Sequence, residues 1–358
     1  MTGIRRCCVG LVLLVLTALL VLADAPAPPS RIPPSAAGKA DLRPVAVVSL
    51  GDSTLAGEGA GDYLPGTRGE NGNFCHRSAH AVVQRIMLPG VTRRINLACS
   101  GAGSANIGFN TPQNSAETSQ AARLGELARQ YRVGAVVIAV GANDGPSFAD
   151  VVMRCAQAWV KRWAPPCSAD LAVQWPARVA AMVPDVTAAV VDVRTAMRGA
   201  GYRDGAYDLV LQSYPAPLTE RLAPELQDLS GCPFRTQDLI WLRTVAVPQL
   251  SGALRGVADR TGARFLDLTR AAEGHEACTS PADPGNEWVT RLSLDFARLR
   301  NDDTGLQAVQ ESFHPNALGH DRIAGCLSEF LQTDERESAC QPNPVGRLQT
   351  VRLPAASR

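Results

Sequence analysis

The chain lacks a large excess of either charge: 35 Lys and Arg stand against 34 Asp and Glu over 358 residues, a formal net charge of +1. Binding along a phosphate backbone needs a basic excess, so no nucleic-acid partner is expected. No CxxC occurs, which leaves a redox dithiol or a zinc knuckle without support. No GxSxG occurs either, which disfavours the nucleophile elbow of the α/β-hydrolase kind. The segment "GEGAGD" carries Gly57, Gly59 and Gly61, but its spacing fails GxGxxG and its acids would repel phosphate. A flexible loop is the expectation there. No internal repeat recurs at a fixed period.

What is present begins with Arg5 and Arg6 ahead of an apolar run from Val9 to Leu22, followed by Ala23-Asp24-Ala25. A basic start, an apolar run and a small-x-small site predict a secretory signal over residues 1–25. The rival is an uncleaved membrane anchor, for which the run is short against the roughly 20 residues of a spanning helix. Cys7 and Cys8 precede the apolar run, so acylation at the cleavage point is not supported. Residues 26–43, rich in Pro and Ala, read as a flexible linker. The expected location is extracellular, or membrane-anchored if the leader stays.

Beyond the leader stand Cys75, Cys99, Cys155, Cys167, Cys232, Cys278, Cys326 and Cys340. An even number in a chain bound for an oxidising compartment predicts disulfides. Sequence leaves their connectivity open. Pairing each cysteine with its neighbour closes the shortest loops and is the expectation.

A single domain is expected over 44–340, with a tail of loop composition over 341–358. Five apolar runs, at 45–50, 93–98, 135–140, 208–214 and 264–268, suit strands covered on both faces. Segments of helical spacing at 77–88, 117–131, 171–199 and 236–260 lie between them. The alternation predicts a doubly wound parallel α/β sheet of five strands flanked by helices. Ligands of such sheets bind beyond the carboxyl ends of the strands, so the residues after each run belong together.

After the first run comes Gly51-Asp52-Ser53, after the second Cys99-Ser100-Gly101-Ala102-Gly103, and after the third Gly141-Ala142-Asn143-Asp144. After the fifth and a long connection comes "ESFHPNALGH" from Glu311. A hydroxyl, an exposed backbone N–H, a side-chain amide and an imidazole are the inventory of acyl transfer. Each oxyanion donor is worth about 3 to 4 kcal/mol of barrier.

Ser53, Gly101, Asn143 and His314, in four separated blocks and in this order, resemble the SGNH or GDSL-type hydrolase family. "NFCHRSAHA", "GHEAC" and the local cysteine pairs are similar to its secreted actinobacterial lipases and esterases. The resemblance implies a flavodoxin-like fold, Ser53 as nucleophile and oxyanion donor, Gly101 and Asn143 as the other donors, and His314 as general base and acid. The family often has Asp three residues before the His; here Glu311 stands there. Glu311 is one candidate to orient the imidazole, and the Ser312 carbonyl is the other.

The remaining polar residues have simpler explanations. Ser100 lacks a triad context. Cys75, His76 and His80 could ligate a metal by spacing, but a Cys75–Cys99 bridge worth about 3 kcal/mol is preferred, with His76 and His80 on the rim or surface. No metal and no cofactor is expected. His320 reads as the end of a turn, "PNALGH", that leads into the helix "DRIAGCLSEFL", and His275 as structural, while Asp52 and Asp144 read as turn carboxylates. Trp159, Trp163 and Trp175 either line an acyl or sugar pocket or pack an insertion.

The expected function is a secreted serine esterase or lipase acting on a small-molecule or lipid ester. The alternatives are a carbohydrate O-deacetylase or acyltransferase on cell-envelope polysaccharide, and a non-catalytic envelope-binding protein. Contact with a membrane or envelope would be transient, and a monomer is the default.

Overall fold

Apolar residues occupy both faces of the central strands, and their burial calls for a layer of helices on each side. In β1 (Val45–Gly51), Val48 and Leu50 enter one buried cluster and Val47 the other. β3 (Arg132–Ala139) divides likewise: Val136 and Ile138 join the first cluster, Ala135, Val137 and Ala139 the second. Successive side chains point to opposite faces, so a strand that is apolar at consecutive positions must be covered twice.

The computed structural model describes residues 41–109, 111–114, 116–293 and 309–353. The expected signal at 1–25 and most of the linker at 26–43 lie outside the described residues. The last linker residues are docked, since Arg43 Nη1 donates to the Ala128 carbonyl at 2.8 Å.

β2 (Arg93–Asn96), β4 (Asp208–Gln212) and β5 (Arg264–Asp267) supply the other three expected strands. The sheet has seven strands in the order β2-β1-β3-β4-β5-β6-β7. β6 (Glu337–Pro342) pairs parallel with β5, and β7 (Leu348–Arg352) pairs antiparallel with β6. The expectation of five strands is thus corrected by two, and the tail from Gln341 is not mere loop. Periodicity hid them because β6 is buried only at its centre and the edge strand β7 only at Leu348.

The first face is covered by α4 (Gln120–Gln130), by the 33-residue α6 (Cys167–Gly199) and by α8 (Val247–Thr261). Trp175, Met182, Val186, Val190 and Val193 of α6 turn inward at helical spacing. The second face is covered by α9 (Ala317–Leu331), through Ile323, Leu327 and Phe330.

Two expected helices differ. Only α2 (Val82–Arg85) forms within 77–88, because Ser78 bridges Tyr63 in extended pairing and its hydroxyl bonds the Gly61 carbonyl. The 236–260 segment is α7 (Thr236–Trp241), a π turn over Leu242–Ala246, and then α8 with Pro at its start. Strand order reverses between β1 and β3, and the crevice at such a switch point opens beyond their carboxyl ends.

Candidate active site

Ser53 starts α1 (Ser53–Ala56), a single turn directly after β1. The chain must bend sharply there. Gly51 has φ +142°, and a Cβ on it would overlap the Ala139 carbonyl oxygen. Gln120 reaches across to both sides of that glycine: Oε1 accepts from Gly51 N at 2.7 Å and Nε2 donates to Gly51 O at 2.9 Å. Asp52 caps the turn by accepting from Thr54 N at 3.0 Å, so its side chain turns away from Ser53 as expected. Its second oxygen accepts from the Tyr214 hydroxyl. Burial pushes Asp52 up to about 7, opposed by the Tyr214 hydroxyl and the Thr54 N–H and aided by the Asp144 charge.

His314 arrives from the other end of the domain, 261 residues away, and its Nε2 lies 2.7 Å from Ser53 Oγ. Its Nδ1 lies 3.1 Å from the Ser312 carbonyl. A carbonyl only accepts, so Nδ1 carries the proton and Nε2 is left bare towards Ser53. Of the two candidates for orienting the imidazole, the hydrogen bond is made by Ser312. The Glu311 carboxyl acts on the imidazole through its charge and acts also on the Tyr63 hydroxyl.

Phe313, beside the histidine, has φ +61°, a conformation that costs about 1 to 3 kcal/mol. Thr290 holds it: its hydroxyl donates to the carbonyls of Glu311 and His314, and the His314 N–H returns a bond to it at 3.2 Å. Burial lowers His314 below the ordinary imidazole value, and the Glu58 charge and the Ser312 carbonyl oppose that shift.

Asn143 Nδ2 donates to the Ala102 carbonyl at 3.0 Å. This ties the loop after β3 to the Gly101 turn, where φ is +80°. Asp144 strengthens the tie, accepting from Ser104 N at 3.0 Å and from Ser104 Oγ at 2.7 Å at the start of α3 (Ser104–Ile107). Tyr214 joins this loop to the nucleophile turn, since Ala142 N donates to the same hydroxyl that bonds Asp52. Sequence reasoning missed Tyr214 and Gln120. The first follows β4, which places it at the right sheet edge; nothing local marks the second.

The cysteines pair as neighbours: Cys75 with Cys99, Cys155 with Cys167, Cys232 with Cys278, and Cys326 with Cys340. Cys75–Cys99 clamps the segment before His76 to the end of the β2 connection, and Ser100 N also donates to the Cys75 carbonyl at 3.1 Å.

The reading of His76 needs correction. His76 is not a rim residue; it is fully buried against Glu58, while His80 is partly exposed and faces Asp62. His320 is buried with Nε2 3.3 Å from the Glu58 carbonyl, and burial pushes it down to about 4. His275 stacks on Trp288. Trp175 is core, donating to the Ala246 carbonyl at 3.1 Å, whereas Trp163 is 87% exposed.

The sequence model of the GDSL-like Lipase/Acylhydrolase family matches residues 49–322. A curated relative, Lipase 2 of Streptomyces coelicolor, is 26% identical over 293 residues, covering 80% of this chain and 86% of its own. Among solved structures, the extracellular lipase of Streptomyces rimosus superposes with a TM-score of 0.52 at 22% identity, covering 81% of this chain and all of that one. Phospholipase A1 of Streptomyces albidoflavus gives 0.53 at 19% identity, covering 77% and 94%. At these identities the two structures speak for the fold.

Proposed function

The chain belongs to the GDSL-like Lipase/Acylhydrolase family and is an ester hydrolase, and on that premise we propose that Ser53 and His314 carry the hydrolysis through an acyl-enzyme. The observation that carries this reading is the 2.7 Å approach of Ser53 Oγ to His314 Nε2, with the opposite ring nitrogen held by the Ser312 carbonyl.

Ser53 Oγ attacks the ester carbonyl while its proton passes to Nε2. The carbonyl oxygen gains the charge, and the N–H groups of Ser53 and Gly101 and the Asn143 amide receive it. One Asn143 N–H is engaged by Ala102; the amide has a second for the oxyanion. The tetrahedral adduct collapses, the alcohol leaves with the proton from Nε2, and water repeats the sequence to free the acid and restore Ser53.

We assign the mature domain to residues from 44, after a signal at 1–25 and a linker at 26–43. Four disulfides fit an oxidising, extracellular setting. The substrate reading is a small-molecule or lipid ester. Hydrolysis of p-nitrophenyl esters from acetate to palmitate, by the wild type and Ser53→Ala, tests the mechanism and reads the preferred chain length. Wild-type turnover in the variant would remove Ser53 from the reaction.

A further inference from the structure

Glu58 is fully buried five residues past the nucleophile. Its own N–H donates to the Ser53 carbonyl at 3.0 Å, so it is built into the same turn. Its carboxyl is filled by donors. Oε1 accepts from the Tyr63 hydroxyl at 3.1 Å and from His76 Nδ1 at 3.0 Å. Oε2 accepts from the Ser100 hydroxyl and from Gln310 Nε2 at 2.8 Å. Four donors on two oxygens match the acceptor capacity of an ionised carboxylate and leave no place for a proton.

This carboxylate borders the loop that carries His314. Gln310 belongs to that loop. Gly59, directly after Glu58, has φ +82°, and a Cβ there would lie 3.0 Å from His314 Cβ and 2.9 Å from the Pro315 carbonyl. His320 of α9 closes the other side, on the Glu58 carbonyl. The hydrogen-bond partner of Nδ1 is a neutral carbonyl, yet the imidazole must become a cation during the attack.

We propose that Glu58 is a positioning residue for the ester hydrolysis: its buried negative charge, held by Tyr63, His76, Ser100 and Gln310, stabilises the His314 imidazolium through space and ties the histidine loop to the nucleophile turn. The inference rests on the Ser53–His314 reading above. It assigns to a carboxylate outside the His314 hydrogen bond the electrostatic part that a triad acid plays, and leaves orientation to Ser312. The cluster also gives the Cys75–Cys99 clamp a second function, because it fixes both His76 and Ser100 around Glu58.

The groups that face His314 or Glu58 are Glu311 on the histidine's own loop, His76 and Tyr63 across the carboxylate, and His320 from α9, with His80 beyond it. Burial acts to raise Glu58, but His76, the His314 charge and Ser100 outweigh it and hold it below the ordinary carboxylate value. Glu58 in turn acts to raise His314. Removing the charge therefore moves the acidic limb of kcat/KM to lower pH.

The test is the pH profile of p-nitrophenyl ester hydrolysis by the mature protein, with Glu58→Gln, Glu58→Asp and the double variant Ser100→Ala/Gln310→Leu. Glu58→Gln is expected to lower kcat about 10-fold and to move the acidic midpoint down by roughly half a unit or more. The double variant strips both donors from Oε2, makes the carboxylate easier to protonate and moves the midpoint the same way. Glu58→Asp keeps the charge and should restore the wild-type midpoint. A folded Glu58→Gln, or, if that does not fold, a folded double variant, with its midpoint unmoved would overturn the proposal. Ser53→Ala and His314→Ala run beside them: activity surviving in those would sink the Ser53–His314 reading itself, whereas an unmoved midpoint in the Glu58 set leaves it standing.

Discussion

Nδ1 of His314 lies 3.1 Å from the carbonyl oxygen of Ser312, two residues before it in the same loop. The backbone thus sets the tautomer, and Glu311 does not hold the ring. Glu311→Gln keeps the Glu311 carbonyl that Thr290 grips, so its kcat should stay within about 3-fold of wild type, far from the roughly 10⁴-fold loss that follows when a triad acid is neutralised. Steady-state kinetics decide between these.

Of the proposed oxyanion donors, Asn143 is the most easily removed. Asn143→Ala should lower kcat by about 100-fold or more with KM little changed, because the lost interaction belongs to the charged intermediate. Asp144 still anchors the loop through Ser104, so circular dichroism should remain that of the wild type. Undiminished kcat would take Asn143 out of the oxyanion site.

Asp52 links pH to stability. Its folded value is about 7 against an ordinary 3.8, so the native state holds a proton that the unfolded chain releases. That contribution is complete below 3.8 and is lost as pH rises through 7. Asp52→Asn keeps an oxygen for Thr54 N and does not ionise. The Tm advantage of wild type over Asp52→Asn should therefore shrink between pH 4 and 8; an advantage that grew across that range would refute the assignment.

The two N-terminal disulfides should separate stability from activity. Cys75–Cys99 closes 24 residues next to Gly101 and His76; replacing both with Ala should cost about 3 kcal/mol and also depress kcat. Cys155–Cys167, between α5 (Phe148–Val160) and α6, should cost Tm with kcat largely kept. Calorimetry and kinetics on both pairs read the contrast, and equal kcat losses would deny the Cys75–Cys99 clamp its special place.

The candidate site was legible where polar residues follow directly after a strand. Ser53, Gly101 and Asn143 each sit a few residues beyond an apolar run, and a parallel sheet brings such ends together. Nearest-neighbour cysteine pairing was legible from loop length. What escaped was set by side-chain direction across long separations. Tyr214 meets Asp52 over 162 residues, Gln310 meets Glu58 over 252, and no local pattern records such a meeting. His76 read as rim or surface once Cys75 was given to a disulfide, yet it is buried as a partner of Glu58. β7 escaped because an edge strand buries too little to show a period.

The most direct test of the account is trapping of the acyl group. The mature protein is mixed with a p-nitrophenyl ester and quenched within the first turnovers, and its peptides are weighed, beside Ser53→Ala and His314→Ala. The account predicts an acyl mass on the peptide containing Ser53 in the wild type, and neither label nor turnover in Ser53→Ala. An ester hydrolysed at wild-type rate by Ser53→Ala, or an acyl group carried on another residue, would contradict it.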